Sequence, residues 1–261
     1  MEIGGVLLDL DGTVCLGDEL LPGAQQAVAY LRRERIPFAY VSNTLDHRRD
    51  FADRLTGMGL PAEPAEIVHA PMALIRYLER HKPEARLFVI GLPPLLEQLS
   101  ESFTLSDDPE AIDVVVASID YTFDFSRLNI AFQALRRGAR LLATNTDRTW
   151  PTPQGEIPDA GAIVGALEGC SLRTVDAVVG KPSLWMAQLA LEHLGCPAGQ
   201  AWMVGDSLES DVAMGAAAGM TTAVVLTGVT RRQDIGRTGV RVDHVLESLA
   251  DLPARLTSVR G

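Results

Sequence analysis

Val6-Leu7-Leu8-Asp9-Leu10-Asp11-Gly12-Thr13 decides how this chain is read. Its apolar opening reads as a buried strand, and the strand ends in two carboxylates two residues apart, which alternation puts on the same side. Gly12 then lets the backbone turn. Two like charges repel by about 4 kcal/mol at an effective dielectric of about 20 and a separation of about 4 Å, so the pair calls for a cation. An acidic turn after an edge strand is the plain alternative, but such turns rarely follow so apolar a run.

Working outward, Pro22-Gly23 leads into a helical stretch with Ala24, Val28 and Leu31 at i, i+4 and i+7, ending in Arg32-Arg33. Phe38 to Val41 is a second strand, stopping at Ser42-Asn43-Thr44, and Phe51, Leu55 and Met58 line a second helix closed by Gly59. This β-α-β-α order predicts right-handed crossovers and a parallel sheet, with ligands at the C-terminal strand ends. From Pro71 a second series follows: a helix through Leu74 and Leu78, strands at Leu87–Ile90, Val114–Val116 and Arg140–Ala143, and helices around Leu95 and over Phe125–Arg137. The polar stretch from Thr149 to Asp159 reads as a loop before a helix at Ala160 to Leu167. Ala177–Val179 reads as the return of the first series, continued by strands at Trp202–Val204 and Ala223–Leu226. The expected architecture is α/β: a Rossmann-like doubly wound parallel sheet core over residues 1–78 and 178–261, interrupted by a smaller α/β insert over 79–177.

Composition narrows the partners. With 261 residues and 47% hydrophobic content, the chain can bury a substantial core. Its 23 basic and 34 acidic residues leave a net charge of −11, which argues against nucleic acid or an anionic membrane. Small molecules remain, and an anionic one would need a locally positive site, such as a metal with a placed Lys or Arg. Cys15, Cys170 and Cys196 are far apart and lack paired spacing, so neither a disulfide framework nor a zinc site is expected. No basic leader and no apolar run of about 18 residues is present, so the expectation is a soluble, cytoplasmic protein. The five histidines show no ligand spacing. Cys15 reads as a buried inert thiol, and Trp150 and Tyr121 as core.

Four strand ends carry functional groups: Asp9 with Asp11, Ser42 with Asn43, Lys181, and Asp206 with Asp211. Each has an ordinary reading as a turn or cap, but their recurrence after apolar strands brings them to one crevice of a doubly wound sheet. Carboxylates from two strand ends suit Mg²⁺, a hard cation that recruits substrate phosphate as a further ligand. Ser42 and Lys181 suit phosphate oxygens.

These residues resemble the four motifs of the haloacid dehalogenase (HAD) superfamily, in order: Asp9-Leu10-Asp11-Gly12-Thr13, Ser42-Asn43, Gly180-Lys181-Pro182, and Gly205-Asp206 through Asp211. The insert between the second and third, with Asn145-Thr146-Asp147-Arg148-Thr149-Trp150-Pro151-Thr152 and Pro158-Asp159-Ala160-Gly161, resembles the NagD / p-nitrophenyl phosphatase branch, which carries an α/β cap domain there. The resemblance implies that Asp9 is the nucleophile and forms an aspartyl-phosphate. It implies that Asp11 protonates the leaving oxygen and then activates water. Asp9, the carbonyl of Asp11 and Asp206 would hold Mg²⁺, with Asp211 beside it outside direct coordination, and Ser42, Asn43 and Lys181 would hold the phosphoryl group. Asn145, Asp147 and Arg148 are the candidate substrate-selecting residues of the cap. An acid at position 11 favours a phosphatase over a dehalogenase, which has no leaving oxygen to protonate. Cys15-Leu16-Gly17 and Ser207 depart from the branch pattern at loop positions.

The expected function is Mg²⁺-dependent hydrolysis of small phosphomonoesters such as p-nitrophenyl phosphate, sugar or nucleotide phosphates, or phosphoglycolate. The expected partner is a small phosphorylated metabolite, with no nucleic acid or membrane and with homo-oligomerisation left open. A phosphotransferase or mutase of the same superfamily is the alternative. A non-enzymatic phospho-acceptor module is the other, but it needs neither a second acid nor an insert.

Overall fold

Strands β1 (Gly5–Leu8), β2 (Phe38–Ser42) and β3 (Ile67–His69) come from the N-terminal stretch. The intervening series gives β4 (Arg86–Ile90), β5 (Thr104–Leu105), β6 (Val114–Ala117), β7 (Arg140–Ala143) and β8 (Ala177–Val178), and the C-terminal stretch gives β9 (Ala201–Gly205), β10 (Thr221–Val225) and β11 (His244–Leu246). They are seen in a computed structural model that describes residues 3–152, 155–237 and 239–260; Met1, Glu2, Pro153, Gln154, Thr238 and Gly261 lie outside the described residues. The helices are α1 (Ala24–Arg33), α2 (Arg48–Gly57), α3 (Ala70–His81), α4 (Pro93–Ser100), α5 (Phe125–Arg136), α6 (Ala160–Ser171), α7 (Leu184–Leu194), α8 (Ala213–Ala218) and α9 (Leu252–Arg260).

One sheet has the order β11-β10-β9-β1-β2-β3. β1 runs parallel to both neighbours, with Leu8 opposite Val204 of β9 and Tyr40 of β2. Val6, Leu7 and Leu8 are fully buried, as an unbroken apolar run in a sheet covered on both faces should be. Each such leucine contributes about 2 kcal/mol by leaving water. Leu8, Tyr40, Trp202 and Val204 share a core with Ala27, Val28 and Leu31 of α1 and with Leu252 and Leu256 of α9. Gly23, which opens α1, sits at φ 85°, and a side chain there would run into the backbone of Ala250.

The second sheet has the order β8-β7-β6-β4-β5, also parallel. Phe88, Ile90, Val115, Leu141 and Ala143 pack with Ala131 and Leu135 of α5 and with Ile163, Val164 and Leu167 of α6. The chain divides into two compact units, Met1–Ser42 with Arg48–Val68 and Lys181–Gly261, and Asn43–His47 with His69–Gly180. The expected α/β organisation, a Rossmann-like core with an inserted α/β domain, is thus the observed one.

Three local readings are corrected. Ala177–Val178 does not return to the first sheet; Ala177 pairs with Leu142 and Val178 with Ala143 in the second. The anchor is the Asp176 carboxylate, which accepts the Leu141 N–H at 2.7 Å. The stretch from Thr149 to Asp159 contains an antiparallel hairpin, Thr149–Thr152 against Gly155–Pro158, with Trp150 opposite Ile157. Trp150 and Tyr121, expected in the core, are 42% and 61% exposed. Among the described residues no helix is long and apolar enough to cross a membrane.

Candidate active site

Because β1, β2 and β9 are parallel and in register at Leu8, Asp9, Ser42 and Asp206 all emerge at the C-terminal end of the first sheet. After β1 the chain folds tightly on itself: the Leu10 carbonyl accepts from the N–H groups of Thr13, Val14 and Cys15 at 3.1, 2.8 and 3.0 Å. Gly12 makes the turn at φ 90°, where a Cβ would also overlap the Asp206 carboxylate. No larger residue fits there.

Asp9 is buried, its Oδ1 accepting from Lys181 Nζ and its Oδ2 from the Thr13 hydroxyl at 3.2 Å. The same ammonium donates to Asp211 Oδ1 at 2.7 Å. Asp211 reaches this position from a single π turn over Leu208–Val212 that runs into α8. Its Oδ2 accepts the Ser207 N–H at 3.1 Å, and a Cβ on Gly205 would overlap it. Asp206 Oδ2 accepts the Val229 N–H at 2.6 Å. Asp9, Asp206 and Asp211, all buried, offer carboxylate oxygens within 4.8 Å of one another.

Charge does not balance in this cluster. Burial, then the charges of Asp9 and Asp211, push the Asp206 carboxyl up to about 8. Burial and Asp9 push Asp211 up to about 6, against the pull of Lys181. Burial alone would lower the Lys181 ammonium, but Asp211 and Asp9 outweigh it and hold its pKa above the ordinary lysine value. Three buried carboxylates therefore share one buried cation, an all-oxygen donor set that a hard divalent ion would fit and neutralise.

That imbalance has a measurable sign. Both carboxyls titrate above their ordinary 3.8, so between about 8 and 4 the folded chain holds protons that the unfolded chain releases. The penalty for burying them ionised is present at high pH and is relieved as pH falls. In EDTA, the melting temperature is expected to rise as pH is lowered from 8 toward 5, and Asp206→Asn should flatten the slope. A flat wild-type profile would contradict the charge assignment.

The remaining candidates make other contacts. Asp11 is half-buried, with its Oδ1 3.8 Å from Arg54 Nη2. Ser42 is buried at the end of β2. Asn43 belongs to the second unit, where its Nδ2 donates to Asp147 Oδ2 at 3.1 Å. Asn145 is buried there, and its Oδ1 accepts the Asp147 N–H at 3.2 Å. Arg148 is exposed. Cys15 is fully buried; burial and then Asp11 push its thiol up to about 12, as an inert thiol requires. Sequence reasoning missed Thr13, Arg54 and the segment around Val229. Thr13 had a visible signal, a hydroxyl directly after the acidic pair; the others touch the site only through tertiary contacts.

Residues 6–102 match the family described as Haloacid dehalogenase-like hydrolase, and residues 178–252 the family described as HAD-hydrolase-like. Over 250 residues the chain is 35% identical to Sugar-phosphatase AraL of Bacillus subtilis (strain 168), covering 95% of this chain and 91% of that protein. The structure of p-nitrophenyl phosphatase from Archaeoglobus fulgidus superimposes with a TM-score of 0.91 at 34% identity, covering 98% of this chain and 100% of that one. NagD from E. coli K-12 superimposes with a TM-score of 0.89 at 27% identity, covering 96% and 98%. The chain belongs to the haloacid dehalogenase-like hydrolases. Within them it falls in the branch of NagD and the p-nitrophenyl phosphatases, and it is a hydrolase of phosphoric monoesters.

Proposed function

We propose that the enzyme is a Mg²⁺-dependent phosphatase of small phosphomonoesters that works through a phosphorylated Asp9, with the first compact unit as catalytic core and the second as its cap. The observation that carries this reading is the buried cluster of Asp9, Asp206, Asp211 and Lys181 at the strand ends of a sheet of this family. Asp9 and Asp206, with the Asp11 carbonyl, would hold Mg²⁺, and Asp211 would stand behind them on Lys181. When bound, the ion supplies charge neutralisation for the transferring phosphoryl group.

The steps fall to this chain's own residues. An Asp9 oxygen attacks phosphorus, the bond to the ester oxygen breaks, and Asp11 gives that oxygen a proton. Asp11 then takes a proton from water as the water oxygen attacks phosphorus, the acyl-phosphate bond breaks, and Asp9 is restored with release of phosphate. Ser42, Asn43 and Lys181 hold phosphoryl oxygens during both displacements. The substrate-selecting residues of this reading are Asn145, Asp147 and Arg148 of the second unit, where Arg148 is exposed and the Asn145 side chain accepts the Asp147 N–H. A cytoplasmic location suits three cysteines that form no disulfide.

The sugar-phosphatase and p-nitrophenyl phosphatase relatives support sugar phosphates and p-nitrophenyl phosphate as first substrates. With Mg²⁺, steady release of inorganic phosphate from p-nitrophenyl phosphate is expected, lost in EDTA and restored by added Mg²⁺. A panel of sugar phosphates, nucleotides, phosphoglycolate and pyridoxal phosphate then ranks leaving groups. If no phosphomonoester releases phosphate to water, the reading fails, and transfer to an added alcohol would favour the phosphotransferase instead.

A further inference from the structure

A third loop closes on the carboxylate cluster, from a part of the chain that no motif marks. The segment Thr227 to Thr230 lies one residue beyond β10, and its contacts converge on two places, Asp206 and the turn after β1. The Val229 N–H binds Asp206 Oδ2 at 2.6 Å, and the Thr230 N–H binds the Asp206 carbonyl at 3.2 Å. Gly228 lies so close that a Cβ there would overlap the Asp206 carboxylate, and its Cα would stand 3.2 Å from a Cβ on Gly12. The Thr227 hydroxyl donates to the Gly12 carbonyl at 2.7 Å.

That last bond acts on the turn itself. The peptide plane before Gly12 contains the Asp11 carbonyl, and it is held by the Gly12 N–H on the Cys15 carbonyl at 2.8 Å. The plane after Gly12 contains the Gly12 carbonyl, held by Thr227, and the Thr13 N–H, held by the Leu10 carbonyl at 3.1 Å. Gly12 lies between them at φ 90°. A glycine there is intrinsically loose, so its orientation depends on those flanking bonds. Only one of them comes from outside the turn.

We infer that Thr227 is a positioning residue for the divalent cation. Its hydroxyl fixes the peptide after Gly12 and so limits how the plane carrying the Asp11 carbonyl can turn about Gly12, while the adjoining Val229 N–H fixes Asp206, setting two ligands from distant parts of the chain in one geometry. The inference rests on the metal assignment made above and adds the residue that aligns the ligands. Partners of metal ligands that merely orient them typically change affinity about 10- to 100-fold when removed.

The test is calorimetric titration of Mg²⁺ into EDTA-stripped, full-length protein, with no substrate present. Thr227→Val keeps the shape and removes the hydroxyl, and it should weaken Mg²⁺ binding by about tenfold or more. Thr227→Ser keeps the hydroxyl and should bind within about twofold of wild type. Metal-free melting temperatures of the two variants serve as the folding control. Wild-type affinity in Thr227→Val, or equal weakening in both variants, overturns the inference. If the wild-type protein takes up no Mg²⁺, the metal assignment itself fails, an outcome distinct from a failure confined to Thr227.

Discussion

Asp9→Asn is expected to leave no more than about 10⁻⁴ of wild-type phosphate release, the scale of loss seen when a covalent nucleophile is removed. The substitution is isosteric, and a side-chain oxygen still accepts from Lys181 or Thr13. What is lost is the anionic oxygen that attacks phosphorus and the acyl-phosphate that would form on it. The fold should not suffer. Asp9 is the second cause, after burial, of the raised Asp206 and Asp211 values, so removing its charge relieves repulsion among buried acids. The expected signature is an inactive protein whose melting temperature in EDTA is no lower than that of wild type. Retained turnover would remove Asp9 from the nucleophile's role, and loss of activity together with loss of fold would leave the charge balance misread.

Lys181→Met should cost both activity and stability. The ammonium is 5% exposed and bonds two buried carboxylates, so its removal strands them without compensation, a loss of about 3–5 kcal/mol. The folded-state pKa of Lys181 lies above its ordinary 10.5, so its contribution is fully present at neutral pH and is lost only as pH rises through that higher value. The pH dependence of the variant should come from the acids left behind. Protonation of the stranded Asp211, and of Asp206 beside it, lowers the negative charge of the cluster as pH falls, so the deficit against wild type should shrink from pH 8 to pH 5. Urea unfolding in EDTA at both pH values measures it through the midpoint at unchanged slope. An identical deficit at both would show that the stranded carboxylates find other partners.

Much of this arrangement was legible because parallel sheets write their strands as uninterrupted apolar runs and put chemistry at the run's end. Val6–Leu8, Phe38–Val41 and Trp202–Val204 each stop at a functional group, and that recurrence was readable without any contact information. Short strands carry no such pattern. Ile67–His69 and His244–Leu246 have three residues each, and Ala177–Val178 has two, so pairing partners decided their sheets and periodicity did not. The hairpin around Trp150 hides for a related reason, since its sequence shows no apolar alternation and Trp150 itself is exposed. At the site, residue types were readable and pairings were not. Asn43 on Asp147, Arg54 near Asp11 and Thr227 on Gly12 join residues distant in sequence, and nothing local announces them.

The placement of β1 within its sheet bears on how the chain is made. One edge of β1 is taken by β2, which leaves the ribosome shortly after it, but the other belongs to β9, which begins at residue 201. Until then an almost wholly apolar strand has an open edge, the kind of surface that recruits wrong partners. The series from β4 to β8 contains all the strands of the second sheet and emerges complete within that interval. Maturation of the catalytic sheet is therefore a late, long-range closure: the nascent chain carries Asp9 long before residues 201–230 follow, and cannot assemble the cluster around it until they have been synthesised.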